Sequence, residues 1–167
     1  LAQNDGENHL HGGIKGFNDV IFDAEQPDAK TVVLTYTSPH MEEGYPGELD
    51  VEVKYQLTEA NELRIEYKAY TNHPTPVNLT HHSYFNLAGA GSGDILDHLL
   101  WIDADYITAV GPGLIPTGAL QEVTNTPMDF RRPTAIGARI DAENAQLALG
   151  PGYDHNWMLN DWDGSLR

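Results

Sequence analysis

Leu49-Asp50-Val51-Glu52-Val53-Lys54-Tyr55-Gln56-Leu57 alternates apolar and polar side chains without a break. After Thr58-Glu59-Ala60-Asn61-Glu62 the alternation resumes with Leu63, Ile65, Tyr67 and Ala69. Successive side chains of a strand point to opposite faces, so a two-residue period marks a strand with one face buried. Two such runs joined by a short polar loop predict an antiparallel hairpin. Upstream, Thr31-Val32-Val33-Leu34-Thr35-Tyr36-Thr37 is rich in β-branched residues and follows a Pro27-Asp28-Ala29 turn, which predicts a third strand. Further strands are expected at Val77–Thr80, Leu99–Ala104 and Tyr106–Val110. The best helical candidate is short, at Thr134–Ile140 after Pro133. Most of the 16 glycines and 10 prolines sit between these runs, the punctuation of an antiparallel sandwich or barrel. No repeat or linker divides the chain, and a single domain over residues 1–167 is expected.

The bulk numbers narrow the partners. Nine Lys and Arg against 25 Asp and Glu give a formal net charge of −16, which would be repelled by nucleic acid or an anionic membrane. A neutral ligand such as a sugar suits that surface better than a polyphosphate. With no cysteine, neither a disulfide framework nor a thiolate site can form. No run approaches the ~18 apolar residues of a membrane-spanning helix. The chain opens on Leu1-Ala2-Gln3-Asn4 and reads as mid-protein sequence. The compartment is left open between cytoplasm, the first expectation, and periplasm.

Four clusters could carry chemistry. Asn78-Leu79-Thr80-His81-His82-Ser83-Tyr84-Phe85-Asn86-Leu87-Ala88-Gly89 holds two adjacent histidines. On an extended chain they diverge, so only one can face a given pocket, where an imidazole can exchange a proton near neutral pH. Asn8-His9-Leu10-His11-Gly12-Gly13 places two histidines at a spacing that puts both on one face of a strand. A metal there would need further ligands, for which His82 and Asp154 are candidates; a polar histidine beside a Gly-Gly turn is the plainer account. Glu42-Glu43-Gly44-Tyr45-Pro46-Gly47 offers paired carboxylates, but its glycines and proline read first as a tight turn. Gly152-Tyr153-Asp154-His155-Asn156-Trp157 offers a carboxylate, an amide and two aromatics, a set that suits a sugar, or else a polar turn with Trp157 in the core.

Taken in order, these segments resemble the aldose 1-epimerase (galactose mutarotase) family. The resemblance rests on Leu10-His11-Gly12-Gly13 with Gly16-Phe17, on Glu43-Gly44-Tyr45-Pro46-Gly47, and on Pro76-Val77-Asn78-Leu79-Thr80 running into His82-Ser83-Tyr84-Phe85-Asn86-Leu87-Ala88-Gly89. Ile115-Pro116-Thr117-Gly118, Thr126-Pro127-Met128-Asp129-Phe130-Arg131 and Gly152-Tyr153-Asp154-His155-Asn156 complete it.

The resemblance implies an all-β antiparallel β-sandwich of the galactose mutarotase-like superfamily, present here in part. It implies interconversion of the α and β anomers of an aldohexose, galactose or glucose, with no metal or other cofactor. In that scheme His82 is the general acid, His11 a supporting histidine that also contacts the sugar, and Asp154 a carboxylate that binds sugar hydroxyls. His9 and the metal reading lose weight, and His81 stands where the family commonly carries Asn. The family's substrate-binding arginine and general-base glutamate belong to segments outside these 167 residues, and neither Glu122 nor Glu143 has the context of the base. Little epimerase activity is therefore expected of this chain alone, with self-association through exposed sheet edges. Three alternatives remain: a non-catalytic sugar-binding sandwich, a hexose-6-phosphate epimerase, for which Arg131-Arg132 is the one adjacent basic pair, and a metal-dependent β-barrel enzyme.

Overall fold

The computed structural model describes residues 1–164, and the chain divides into two compact units, residues 1–83 and 84–167. The first unit is built on a four-stranded antiparallel sheet in sequential order: β1 (Asp23–Asp28), β2 (Thr31–Ser38), β3 (Leu49–Leu57) and β4 (Leu63–Thr71). The expected hairpin is β3–β4, in unbroken register from Leu49 opposite Thr71 to Leu57 opposite Leu63. Its loop closes through Thr58 N–H to the Glu62 carbonyl at 2.9 Å, with Asn61 in the left-handed region at φ 61°, a conformation asparagine tolerates. On one face Val51 and Val53 are buried. On the other, Lys68 meets Glu52 at 2.7 Å and Lys54 meets Glu66 at 3.1 Å, both directly cross-strand. Exposed pairs of this kind fix register more than they stabilise.

Strand β1 was not legible in the sequence. All six of its residues are exposed, so no buried face writes an alternation into it. With Pro27 inside it and a register break between Glu25 and Asp28, it forms a blunted sheet edge. The strand expected at Val77–Thr80 does not form. Pro74 and Pro76 remove two backbone donors just before it, and a ladder cannot be entered there.

The second unit centres on β6 (Tyr106–Val110), whose bounds match the expectation. It pairs antiparallel with β7 (Pro116–Glu122) on one side and β9 (Trp157–Met158) on the other, while β5 (Leu99–Leu100) pairs with β8 (Thr134–Ala135). The run expected to reach Ala104 stops at Leu100, because Ile102 N–H goes instead to the Phe130 carbonyl at 2.8 Å and Ala104 N–H turns back to Ile102 at 3.0 Å. The helix expected over Thr134–Ile140 is reduced to a 3-10 turn at Ile136–Ala138 after β8. Gly137 lies against Leu96, where a Cβ would come within 2.8 Å of the Leu96 Cβ, so that segment is pressed flat. The α-helix of this unit, α1, falls at Ala145–Leu149, capped by Asn144 Oδ1 accepting from Gln146 N–H at 2.9 Å. Ile107, Val123, Met128 and Leu147 form the core, with Tyr153 and Trp157 packed against it.

Candidate active site

In the first unit the rings of His11 and His82 meet edge to face, 5.1 Å between centroids and 83° between planes. Both residues are exposed. The adjacent histidines diverge as extended geometry requires: His81 is half-buried, edge-on to Tyr55 of β3 at 5.9 Å, while His82 turns to His11. Two imidazoles thus stand side by side on the exposed surface of this unit.

His9 has a different task. Its Nδ1 lies 2.7 Å from the Ala2 carbonyl. A carbonyl only accepts, so Nδ1 carries the proton and Nε2 is left to accept from the Tyr45 hydroxyl, also at 2.7 Å. Both ring nitrogens are engaged within the fold. Among the described residues no group of three or more His, Cys, Asp or Glu converges as a metal site would require.

The Glu42-Glu43 pair is a turn. Glu42 opens a 3-10 turn over Glu42–Gly44, and the two carboxylates part. Glu42 accepts from the Tyr36 hydroxyl at 2.7 Å and Ser38 Oγ at 2.5 Å, and that carboxylate holds the Tyr36 phenol above its ordinary range. Glu43 faces the other way, accepting Ile14 N–H and Lys15 N–H at 3.0 Å each. Sequence reading missed this link; no local signal marks a contact between segments so far apart in the chain.

In the second unit Asp154 is exposed on a loop that is anchored on every side. Tyr153 donates to the Pro127 carbonyl at 3.2 Å, and Asn156 Nδ2 donates to Thr108 Oγ1 at 3.0 Å. Trp157 Nε1 donates to the Met128 carbonyl at 3.0 Å. Tyr153 and Trp157 both pack edge-on against buried Phe130, at 5.0 and 6.0 Å. The two aromatics are therefore anchors of the loop rather than open stacking faces. Burial of the neighbouring His155 holds its pKa below the ordinary value of 6.5, against the opposing pull of the Asp154 charge.

Arg131 is committed to carboxylates. It makes a bidentate contact with Asp129 (Nε 2.9 Å, Nη2 2.8 Å) and adds Asp105 at 2.8 Å and Thr124 at 3.0 Å. Hydrogen bonds from Arg131 hold the Asp129 carboxyl below its ordinary range. Little of this guanidinium is left to grip a phosphate.

Comparison with known proteins agrees with the residue pattern. The aldose 1-epimerase family model matches residues 1–166. A galactose mutarotase from Bos taurus is 45% identical over 95% of this chain and 44% of its own length, and the aldose 1-epimerase of Escherichia coli K12 is 37% identical over 95% and 45%. The chain thus spans less than half the length of these relatives. Among solved structures, galactose 1-epimerase from Lactobacillus acidophilus NCFM superposes with a TM-score of 0.87 at 32% identity, covering 98% of this chain and 48% of that one. With its antiparallel, mutarotase-like all-β fold, the chain belongs to the aldose 1-epimerase family.

Proposed function

We propose that the chain carries the acid side of an aldose 1-epimerase centre acting on galactose or glucose. The observation that supports this best is the exposed, edge-to-face His11–His82 pair. In the reaction, the C1 hydroxyl gives up its proton as the ring oxygen receives one. The C1–O5 bond breaks to the open-chain aldehyde, C1–C2 rotates, and closure returns the protons. His82 delivers the proton to the ring oxygen, His11 supports it and holds the sugar, and Asp154 accepts hydrogen bonds from sugar hydroxyls. No metal or nucleotide takes part.

The base that takes the C1 proton is assigned to no carboxylate of these residues. Glu122 accepts from Thr124 Oγ1 at 2.6 Å, and Glu143 lines an open hollow beside α1. The chain alone therefore binds sugar and turns it over slowly. Polarimetry on α-galactose and α-glucose tests the turnover half, and titration of the histidine ring resonances with galactose tests the binding half. Slow mutarotation with measurable galactose binding, the binding weakened by His11→Ala or Asp154→Ala, is the expected result. Enzyme-like rates abolished by His82→Ala would overturn the slow-turnover half, and absence of any sugar binding the other. The engaged state of Arg131 favours a neutral hexose over its 6-phosphate.

Self-association through β4 belongs to the same proposal. Unlike β1, this edge has no proline and no register break. Leu57 N–H goes to Lys30 of the β2 side and Asn72 N–H to Glu48 of the β3 side, so Leu63, Ile65, Tyr67, Ala69 and Thr71 present their backbone groups outward. Two copies paired antiparallel about Tyr67 would set Glu66 of each opposite Lys68 of the other. Sedimentation across a hundredfold concentration range checks it; a monomer throughout counts against it.

A further inference from the structure

The loop that carries His11 is under unusual conformational demand. His11, Gly12 and Gly13 all have positive φ (53°, 84° and 111°), and for His11 that places a side-chain-bearing residue in the left-handed region. Such a conformation persists only where the surroundings over-determine it. Three contacts do so here. Asn4 accepts Leu10 N–H through Oδ1 at 2.9 Å and donates from Nδ2 to the Leu10 and Gly13 carbonyls at 2.9 and 2.8 Å. Gly16 backs against the His11 carbonyl, where a Cβ would stand 2.3 Å from the oxygen. Glu43 supplies the third, taking the consecutive N–H groups of Ile14 and Lys15, one on each oxygen.

Glu43 reaches that position by two concessions of the backbone. Its own φ is 48°, the left-handed region again. Its carboxylate also occupies the space where Gly13 would carry a side chain, since a Cβ there would lie 2.2 Å from Oε2 and 2.8 Å from Cδ. The segments Leu10–Gly13 and Glu43–Gly47, read separately in the sequence, are therefore one object. We infer that Glu43 is a positioning residue: its carboxylate clamps the 13–15 backbone and thereby sets where the His11 imidazole stands against His82. The carboxylate accepts from backbone N–H groups and takes no part in proton transfer. The functional weight of the clamp rests on the reading of His11 given above.

Long-range 1H–15N spectra of the histidine rings in the 167-residue chain test the clamp without recourse to activity. In Glu43→Ala the His11 and His82 ring resonances are expected to move, while those of His73, bonded to Asn72 in the same unit, stay in place and report an intact fold. Glu43→Gln keeps one accepting oxygen and should return most of the parent pattern, a rescue that mere loss of packing would not give. On titration with galactose, the shift induced at His11 should fall at least threefold in Glu43→Ala. Superimposable His11 and His82 resonances in the parent chain and Glu43→Ala would overturn the inference. Should that variant fail to fold, Glu43→Asp, which keeps the charge and shortens the reach to the Ile14 and Lys15 N–H groups, decides by the same spectra. A parent chain with no response to galactose counts against the functional reading alone, leaving the ring positions to judge the clamp.

Discussion

Gln146 makes, with its side chain, the two hydrogen bonds that a neighbouring strand would make to Val110: its Oε1 accepts the Val110 N–H at 2.9 Å and its Nε2 donates to the Val110 carbonyl at 3.0 Å. Strand β9 covers only Tyr106 and Ile107 of β6, and the Asn156 carbonyl takes Thr108 N–H at 2.9 Å. The amide from α1 completes that side of the ladder. Replacing Gln146 by Leu should leave a largely buried N–H and carbonyl unpaired, at a cost of about 1–3 kcal/mol. Urea unfolding reads this directly, and an unchanged midpoint would show that water substitutes freely.

Phe130 should be the costliest residue of the second unit to truncate. It is 1% exposed, carries Tyr153 and Trp157 edge-on, and has the Arg139 guanidinium 5.3 Å from its ring centre. Phe130→Ala is expected to cost about 3–5 kcal/mol, measured by denaturant titration. Ile21, 92% exposed, serves as the comparison, and Ile21→Ala should stay within about 0.5 kcal/mol of the parent.

Acid should weaken the fold in two separate steps. Burial depresses the His155 pKa below 6.5, so the unfolded chain takes up the proton first. Stability is full above that value and falls as pH drops from about 6.5 towards the lower native value. Asp129, depressed below 3.8 by its hydrogen bonds from Arg131, contributes stability that is present above that pH and lost as pH falls through its native value. Neither step can be steeper than about 1.4 kcal/mol per pH unit for one proton. Midpoints followed from pH 8 to 3 should show the upper step vanish in His155→Gln and the lower in Asp129→Asn.

The sequence carried the sheet wherever burial wrote a period into it. Leu49–Leu57 and Tyr106–Val110 were legible because each strand has buried positions, and Leu63–Ala69 because Ile65 and Tyr67 are half-buried between exposed neighbours. Strand β1 was not, having no covered face, and β7 was hidden because five of its first residues, from Pro116 to Leu120, are exposed. The helix at Ala145–Leu149 did carry its signal, an asparagine cap ahead of Ala-Gln-Leu-Ala-Leu. At the candidate site the divergence of His81 from His82 followed from extended geometry alone. The contacts of His9 with Tyr45 and of Glu43 with Ile14 and Lys15 did not, since they join segments roughly thirty residues apart, and tertiary neighbours of that kind leave no local trace.

Tyr45→Phe isolates the His9 anchor. It deletes the hydroxyl that donates to Nε2 and leaves the Nδ1–H bond to Ala2 intact. A loss of about 0.5–1.5 kcal/mol is expected, with the His9 Nε2 resonance alone among its ring nitrogens losing its bonded signature. A shift at Nδ1 of equal size would instead mean that the two bonds stand or fall together.

Galactose 6-phosphate should compete with galactose no better than its neutral hydroxyl set allows, because Arg131 is already spoken for by Asp129 and Asp105. Competition followed on the galactose-induced histidine shifts checks this. A tenfold preference for the phosphorylated sugar would reverse the assignment.

The opposed carboxylates of Glu42 and Glu43 make the turn between β2 and β3 a place where chain length matters more than composition. One residue inserted ahead of Glu42 would rotate the pair, sending the carboxylate that serves Tyr36 and Ser38 towards the glycine loop and its neighbour towards the sheet. The loop at Thr58–Glu62 is closed by its own hydrogen bonds and reaches outward through the exposed Glu59–Lys30 ion pair, and it has no such dependence. In a random insertion library the two hairpin ends of this one sheet should therefore part company, with the 58–62 end accepting added residues and the 41–47 end refusing them.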